Sequence, residues 1–380
     1  MKVLFLSSWY PSAENPAFGV FVKEHAKAIH TTSAEIVVLA VLVFRSGDLL
    51  KIHVKDYKDE SGIRTIEIII RSRYRDIIHH LVWFQKQIVY HYFRKLILKN
   101  FQPDIIHSNV IFPAGITGDF IARKINKPHI ITEHWSKIGD LLRKPVFSAS
   151  ARKAYTKARA ILPVSEFLRN HLLDLLPDLP PTKLRVVPNI IDSETFAYVE
   201  KEVSDELRFC ALATWATKRK PDKLPELFIE ALNNFHLKTG KKVRLTMLGG
   251  GDRLDELKAL ASKQSYPIEF AGSIPKPDIA LQMQKADFFV HASTIETFGV
   301  VVAEALMTGT PVICSRVAAL PELVNQSNGV LCENSVESWV DGIEKAVITT
   351  FDNQKIAQTV RDKFSYRAVG RKIEDIYKDL

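Results

Sequence analysis

Glu296 and Glu304 stand eight positions apart in the stretch FVHASTIETFGVVVAEALMTGTPVICS (289–315), and Lys218, Arg219, Lys220 and Lys223 crowd the loop ATWATKRKPDK (213–223). Carboxylates accept hydrogen bonds from hydroxyl groups, and clustered cations neutralise phosphate. Cations just beyond a strand end would stabilise a departing diphosphate electrostatically, usually the largest single term in catalysis. Neither signal decides by itself. Glutamates at this spacing recur by chance, a solvated helix residue is the plain alternative for Glu304, and a solvated basic loop is the plain alternative for the cations.

The string around the glutamates adds a local structure. Residues 288–291 read as a short apolar strand, followed by a polar turn and an apolar helix that opens near Phe298 and Gly299 and closes at Gly309. The next strand is expected at 312–315. This is half of a nucleotide-binding α/β unit. The first backbone N–H groups of such a helix have no partner within it, and its dipole favours an anion there. Glu304 falls inside the helix and Glu296 just outside it, so the two carboxylates flank a phosphate position, consistent with hydroxyl recognition on two sugars.

Strands and helices alternate along the whole chain. Strands are expected at 2–6, 35–44, 62–70, 104–107, 129–132 and 160–164, with helices at 20–29, 114–124 and from about 165; segment 62–70 is placed to pair with the basic segment before it. A Pro-rich stretch at 177–181 and the sequence LRVVPN close this half. A second series follows, with strands at 209–212, 243–248, 268–271, 288–291, 312–315 and 329–331 and helices at 223–237, 253–262, 277–284, 300–307 and 336–348. Such alternation implies an α/β protein with two doubly wound, Rossmann-like parallel sheets, each covered on both faces. The expected domains are 1–190 and 191–365, facing each other across a cleft.

With 380 residues, 46% hydrophobic and 25% charged, the chain is long enough for two cores. Its apolar stretches fall short of the ~18 residues that cross a bilayer, and its start lacks the apolar region of a signal peptide, so a cytoplasmic protein is expected. Three cysteines give neither a disulfide framework nor a metal-ligand spacing. The net charge of +9 is concentrated: residues 71–99 carry seven cations against the single acid Asp76, interleaved with aromatic residues. Within it, HHLVWFQKQIVYHYFRKLILKNF (79–101) reads as one helix, either a core helix with a solvated basic face or a surface for an anionic membrane. The cations are not laid out as a helix that reads nucleic acid, which argues against a nucleic-acid-binding protein. Gly249-Gly250-Gly251-Asp252 fails the dinucleotide fingerprint at Leu254 and reads as a structural turn.

Ser293, Glu296, Phe298-Gly299, Glu304-Ala305, Gly309 and Pro311-Val312 fall in one register. Together they resemble the nucleotide-sugar site of the retaining glycosyltransferases of family 4 (glycosyl transferases group 1), with the GT-B fold and the Glu-x7-Glu motif. The resemblance covers nearly the whole chain and is most specific over 268–333. It implies that Glu296 takes hydroxyls of the donor sugar, Glu304 the ribose diol, and the amides of Phe298, Gly299 and Val300 the phosphates. Lys220 matches the lysine of the family's Lys-Gly pair, whereas Ala213-Thr214 stands where the family has Gly-Arg, leaving Lys218 or Arg219 to substitute. Ser273 and Ile274 match the segment that meets the nucleobase through backbone groups. In the first half, Gly19 matches a glycine loop near donor phosphate and acceptor, and His134 a histidine near the sugar; His107 reads as structural. Thr297 and Ala318-Ala319 depart from positions where the family often has glycine. The terminal residues 366–380 resemble a helix that, in the family, crosses back towards the first domain.

The implied activity is transfer of a sugar from a UDP- or GDP-linked donor to an acceptor hydroxyl with retention, needing no cofactor and no metal. The basic aromatic stretch motivates a lipid-linked saccharide acceptor at the inner face of the cell membrane, as in surface-polysaccharide assembly. A nucleotide-sugar epimerase of the same fold is the alternative.

Overall fold

The computed structural model describes residues 1–202, 204–216 and 222–380, and of residues 79 and 80 the backbone alone. The chain divides into two compact units, Met1–Ile190 with Tyr366–Leu380, and Ile191–Ser365.

In the first unit, strands β1 (Lys2–Ser7), β2 (Glu35–Arg45), β3 (Lys51–Lys58), β4 (Arg64–Ser72), β5 (Ile105–Asn109), β6 (His129–Glu133) and β7 (Ala160–Pro163) form one sheet in the order β3-β4-β2-β1-β5-β6-β7. All neighbours are parallel except β3, which runs antiparallel to β4. The sequence of β2, EIVVLAVLVFR, is apolar almost throughout because both faces are covered. Val38 and Ala40 join one core with Val3 and Phe5, while Val37 and Leu39 join the other with Leu4 and Leu6. The edge strand β3, KIHVKDYK, is largely exposed, and its lysines discourage pairing with another chain.

The single helix expected over 79–101 is broken at Leu81. Helices Arg75–His80 and Val82–Tyr92 replace it, and the second runs into a π-helical segment, Phe93–Leu98. Val89, Phe93 and Ile97 recur at four-residue steps and pack into the sheet core. The buried side chain of Gln85 donates to the Ile78 carbonyl at 2.7 Å, a second bond to an oxygen that already accepts the Leu81 N–H at 3.1 Å where the first helix ends. The terminal helix expected over 366–380 forms as Tyr366–Lys378, after a separate helix Asn353–Phe364. The terminal helix packs in the first unit, where Tyr377 Oη lies 2.6 Å from His107 Nδ1.

The second unit carries β8 (Leu207–Leu212), β9 (Val243–Leu248), β10 (Ile268–Gly272), β11 (Phe288–His291), β12 (Val312–Ser315) and β13 (Gly329–Cys332), all parallel, in the order β10-β9-β8-β11-β12-β13. The direction of winding reverses between β8 and β11. In such sheets ligands bind beyond the carboxyl ends of the strands at that switch point, where the loops after β8 and β11 carry the residues singled out above.

Candidate active site

The two switch-point loops are joined through their backbones. Leu224 N–H donates to Ala292 O at 3.1 Å, and Thr294 N–H to Asp222 O at 2.8 Å. Ser293, fully buried, donates from Oγ to Asp222 O at 2.9 Å, while its N–H donates to Ser315 Oγ at 3.0 Å. These bonds fix the position of Lys223, whose Nζ pairs with Glu296 Oε1. The same oxygen lies 2.7 Å from His291 Nε2, at the end of β11. Burial by itself would push the Glu296 carboxyl up, but the His291 hydrogen bond and the Lys223 charge outweigh it and hold it at about 2. Burial, with the nearby Lys223, in turn pushes the His291 imidazole below its ordinary range. His291 is therefore neutral at pH 7 and donates its Nε2 proton to an ionised Glu296.

The depressed carboxyl has a consequence for stability. A group whose folded pKa lies below its ordinary value contributes stability above that value and loses it as the pH falls through the folded one. For Glu296 the window runs from 4.5 down to about 2. Over it, the stability advantage of the native chain over Glu296→Gln should fall by ~3 kcal/mol. Urea unfolding of both proteins at stepped pH measures it; an advantage that stays flat across the window would contradict the ion pair.

Gly299 starts the helix Val300–Met307 at φ 91°, a left-handed conformation, and a Cβ there would come within 2.7 Å of Leu320 Cδ2. The left-handed φ is what calls for glycine, since the leucine tip could shift. Phe298 is buried, its ring edge-on to Phe364 at 5.4 Å, so only its backbone is available to a ligand. Val300 and Glu304 are half-buried. They lie four residues apart on one helix face, and side chains on a helix lean towards its N-terminus. The Glu304 carboxylate is thus carried back towards the helix start. Ser273 and Ile274 follow β10, the first exposed and the second half-buried. Gly249 and Gly251 have positive φ, and a Cβ on either would strike the Ala213 or Trp215 carbonyl at about 2 Å. They are structural turn residues. Lys218, Arg219 and Lys220 lie outside the described residues.

Ala318 stands where the resembled family often has glycine, and its φ is 48°. The next residue, Ala319, donates its N–H to Glu296 O at 3.2 Å, so this turn braces the backbone of the glutamate. Left-handed backbone costs an L-residue roughly 1–2 kcal/mol, partly offset by glycine's greater entropy loss. Ala318→Gly should therefore raise stability by about 0.5–1 kcal/mol in denaturant unfolding; a destabilised variant would contradict the strained turn.

In the first unit the switch point lies between β1 and β5. Gly19 precedes the helix Val20–His30 at φ 74°, and a Cβ there would come within 2.4 Å of the Trp9 backbone. His134, just past β6, is buried, with its ring 4.8 Å from that of Phe21 and 5.1 Å from that of His25. Burial, with His25 nearby, holds its imidazole well below the ordinary range. Gly19 and His134 therefore meet at one end of the sheet through Phe21. Glu133 organises this end: its carboxylate accepts from the N–H groups of Ile111, His134 and Trp135 and from Tyr155 Oη at 2.8–3.0 Å. Ile111 follows Val110, whose φ of 63° is rare for a β-branched residue.

The pattern described as Glycosyltransferase Family 4 matches residues 19–195, and that described as Glycosyl transferases group 1 matches residues 216–363. The chain belongs to glycosyltransferase family 4. Among curated relatives of this glycosyltransferase, the uncharacterized glycosyltransferase MJ1178 of Methanocaldococcus jannaschii is 25% identical, over 86% of this chain and 92% of that protein. Alpha-monoglucosyldiacylglycerol synthase of Streptococcus pneumoniae is 27% identical, over 74% of this chain and 68% of that protein. Among solved structures, Anabaena HepE in complex with UDP superposes with a TM-score of 0.71 at 16% identity, covering 100% of both chains. Another structure of HepE holds UDP-glucose. The fold of this glycosyltransferase is GT-B.

Two residues at the switch point of the second unit are not distinguished by the sequence. Lys223 was one of several cations in a loop, and only contact with Glu296 distinguishes it. His291 ends an apolar strand and gave no signal of its own. Glu133 was likewise hidden in the first unit, although its neighbour His134 was not.

Proposed function

We propose that this glycosyltransferase moves a sugar from a nucleoside-diphosphate donor to an acceptor hydroxyl with retention of configuration. The observation that carries the reading is the Lys223–His291–Glu296 cluster at the switch point, beside the helix start at Gly299. Phosphate on the helix amides would leave Glu304 to the ribose and Glu296 to the sugar hydroxyls, with Lys223 near the departing diphosphate. Held at about 2 by its two partners, Glu296 is a weak base and a poor nucleophile. That favours attack on the same face. The acceptor oxygen bonds to the anomeric carbon, the bond from that carbon to the diphosphate oxygen breaks with its electrons on the diphosphate, and the acceptor's proton passes to a diphosphate oxygen. Thermal melting against UDP- and GDP-sugars identifies the donor, because a ligand of the folded state raises its melting point. NMR of the product gives the anomeric configuration. Inversion would overturn the mechanism, and conversion of donor alone would mark an epimerase.

The acceptor in this proposal is a lipid-linked saccharide, taken at the inner face of the cell membrane. Among the described residues no helix is long and apolar enough to cross a membrane. Tyr74, Ile77, Leu81 and Trp83 are 49–67% exposed around the break at Leu81. Arg73, Arg75 and Lys86 stand among them, the composition of a surface that rests on anionic lipid. The later cations Arg94, Lys95 and Lys99 are the solvated face of a segment whose Val89, Phe93 and Ile97 pack in the core. Ile77→Ser and Trp83→Ser should each lower partition onto anionic liposomes roughly tenfold at low salt, as burying one such side chain is worth about 1.5–3 kcal/mol. Equal partition of wild type and variants in a sedimentation assay would remove this surface from the reading.

A further inference from the structure

A cavity of about 480 Å³ opens beyond the carboxyl end of β1, alongside the last residues of β2. Trp9, Tyr10, Phe18 and Phe44 supply aromatic wall, and Arg45 and Arg75 supply charge. Among the described lining residues there is no aspartate or glutamate. Just outside, Arg45 Nη2 and Arg75 Nη1 both turn to the carboxylate of Asp76, the second at 3.2 Å. Two guanidinium groups thus share one carboxylate here. A third guanidinium stands near, where Arg71 lies 5.7 Å from the centroid of the Phe44 ring, its charge balanced by Glu14. The wall is braced towards the site described above: the Trp9 ring lies 5.7 Å from Phe18 and 6.1 Å from Trp135, next to His134.

Aromatic walls with a few convergent charges are what a small-molecule site presents, and this volume falls within the usual ~300–1,000 Å³. Rings offer flat apolar surface to the C–H face of a sugar. Arginine forks match phosphate oxygens in pairs, and two of them at the rim of one cavity, sharing a single carboxylate, retain donors for a group of more than one negative charge or one shared between them. We propose that this cavity binds a phosphorylated saccharide as the acceptor, its sugar against Trp9 and Phe44 and its phosphate or diphosphate on Arg45 and Arg75. The proposal deepens, and rests on, the transferase reading. Arg75 and the exposed Ile77 share the helix Arg75–His80, with exposed Leu81 and Trp83 following it. A phosphate on Arg75 would therefore sit close to the apolar surface that a lipid chain needs.

Tryptophan fluorescence of the full chain, titrated with three probes, tests this: decyl glucoside, glucose 1-phosphate, and glucose joined to decanol through a phosphodiester. The phosphodiester probe should bind at least about tenfold more tightly than the neutral glucoside, the worth of charge-assisted hydrogen bonds. Arg45→Gln with Arg75→Gln should erase that preference, while the melting point and its rise with the donor sugar stay as in wild type. Both side chains are well exposed, at 66% and 46%, so the variant should fold. Glucose 1-phosphate binding as tightly as the phosphodiester supports a soluble phosphosugar, and tighter binding of the phosphodiester supports a lipid-linked one. No binding of any probe, equal binding of neutral and charged probes, or a preference that survives both substitutions overturns the proposal. Loss of the transferase reading registers separately, as failure of every nucleotide sugar to raise the melting point.

Discussion

Lys223→Ala is expected to lower transfer by roughly 10²–10³-fold, the usual result of removing one positioned charge from a developing anion. Two effects act together. The substitution withdraws the cation that the proposal sets beside the diphosphate, and it leaves Glu296 with His291 as its remaining named partner. Without the lysine charge the Glu296 carboxyl should rise from about 2. A double-mutant cycle with Glu296→Gln separates the effects: residues that act as one unit lose far less together than the sum of their separate losses. Steady-state rates at saturating donor provide the measurement. If Lys223→Ala keeps turnover within about threefold of wild type, Lys223 is a structural ion pair and transition-state charge is stabilised elsewhere.

The second large effect should fall on binding. Glu304→Ala should weaken the nucleotide itself by about ten- to a hundredfold, since hydrogen bonds to a charged group are worth about 1.5–3 kcal/mol. Glu296→Ala should chiefly reduce transfer, with the free nucleoside diphosphate still bound. Calorimetric titration with UDP and GDP, set beside turnover of the same variants, distinguishes the roles. Wild-type turnover in both variants would sink the assignment of either carboxylate to the donor, and equal losses of nucleotide affinity would sink the division between them.

Much of the fold was legible because its signals are local. Strands β9, β11 and β12 and the helix Val300–Met307 have the bounds expected from apolar runs and turn residues. In a doubly wound sheet each strand is buried on both faces, so it announces itself as a short apolar block. The segment 79–101, expected as one helix, is divided in the structure. Its apolar and basic residues continue through Leu81, but the backbone leaves the helical conformation there at ψ 64°, and Gln85 bonds across the break to the Ile78 carbonyl, neither of which composition records.

The sequence by itself determined the alternation of strands and helices and the register that puts Glu296 and Glu304 on either side of Gly299. Those features depend on neighbours a few residues apart. The tertiary structure decided that Lys223 meets Glu296 across 73 residues of chain and that His291 joins them. It also decided that Glu133 ties Ile111 to the loop bearing His134. The physical reason is strand order. Placing β8 beside β11, and β5 beside β6, brings together loops that the chain keeps far apart, and no periodicity along one segment encodes that adjacency.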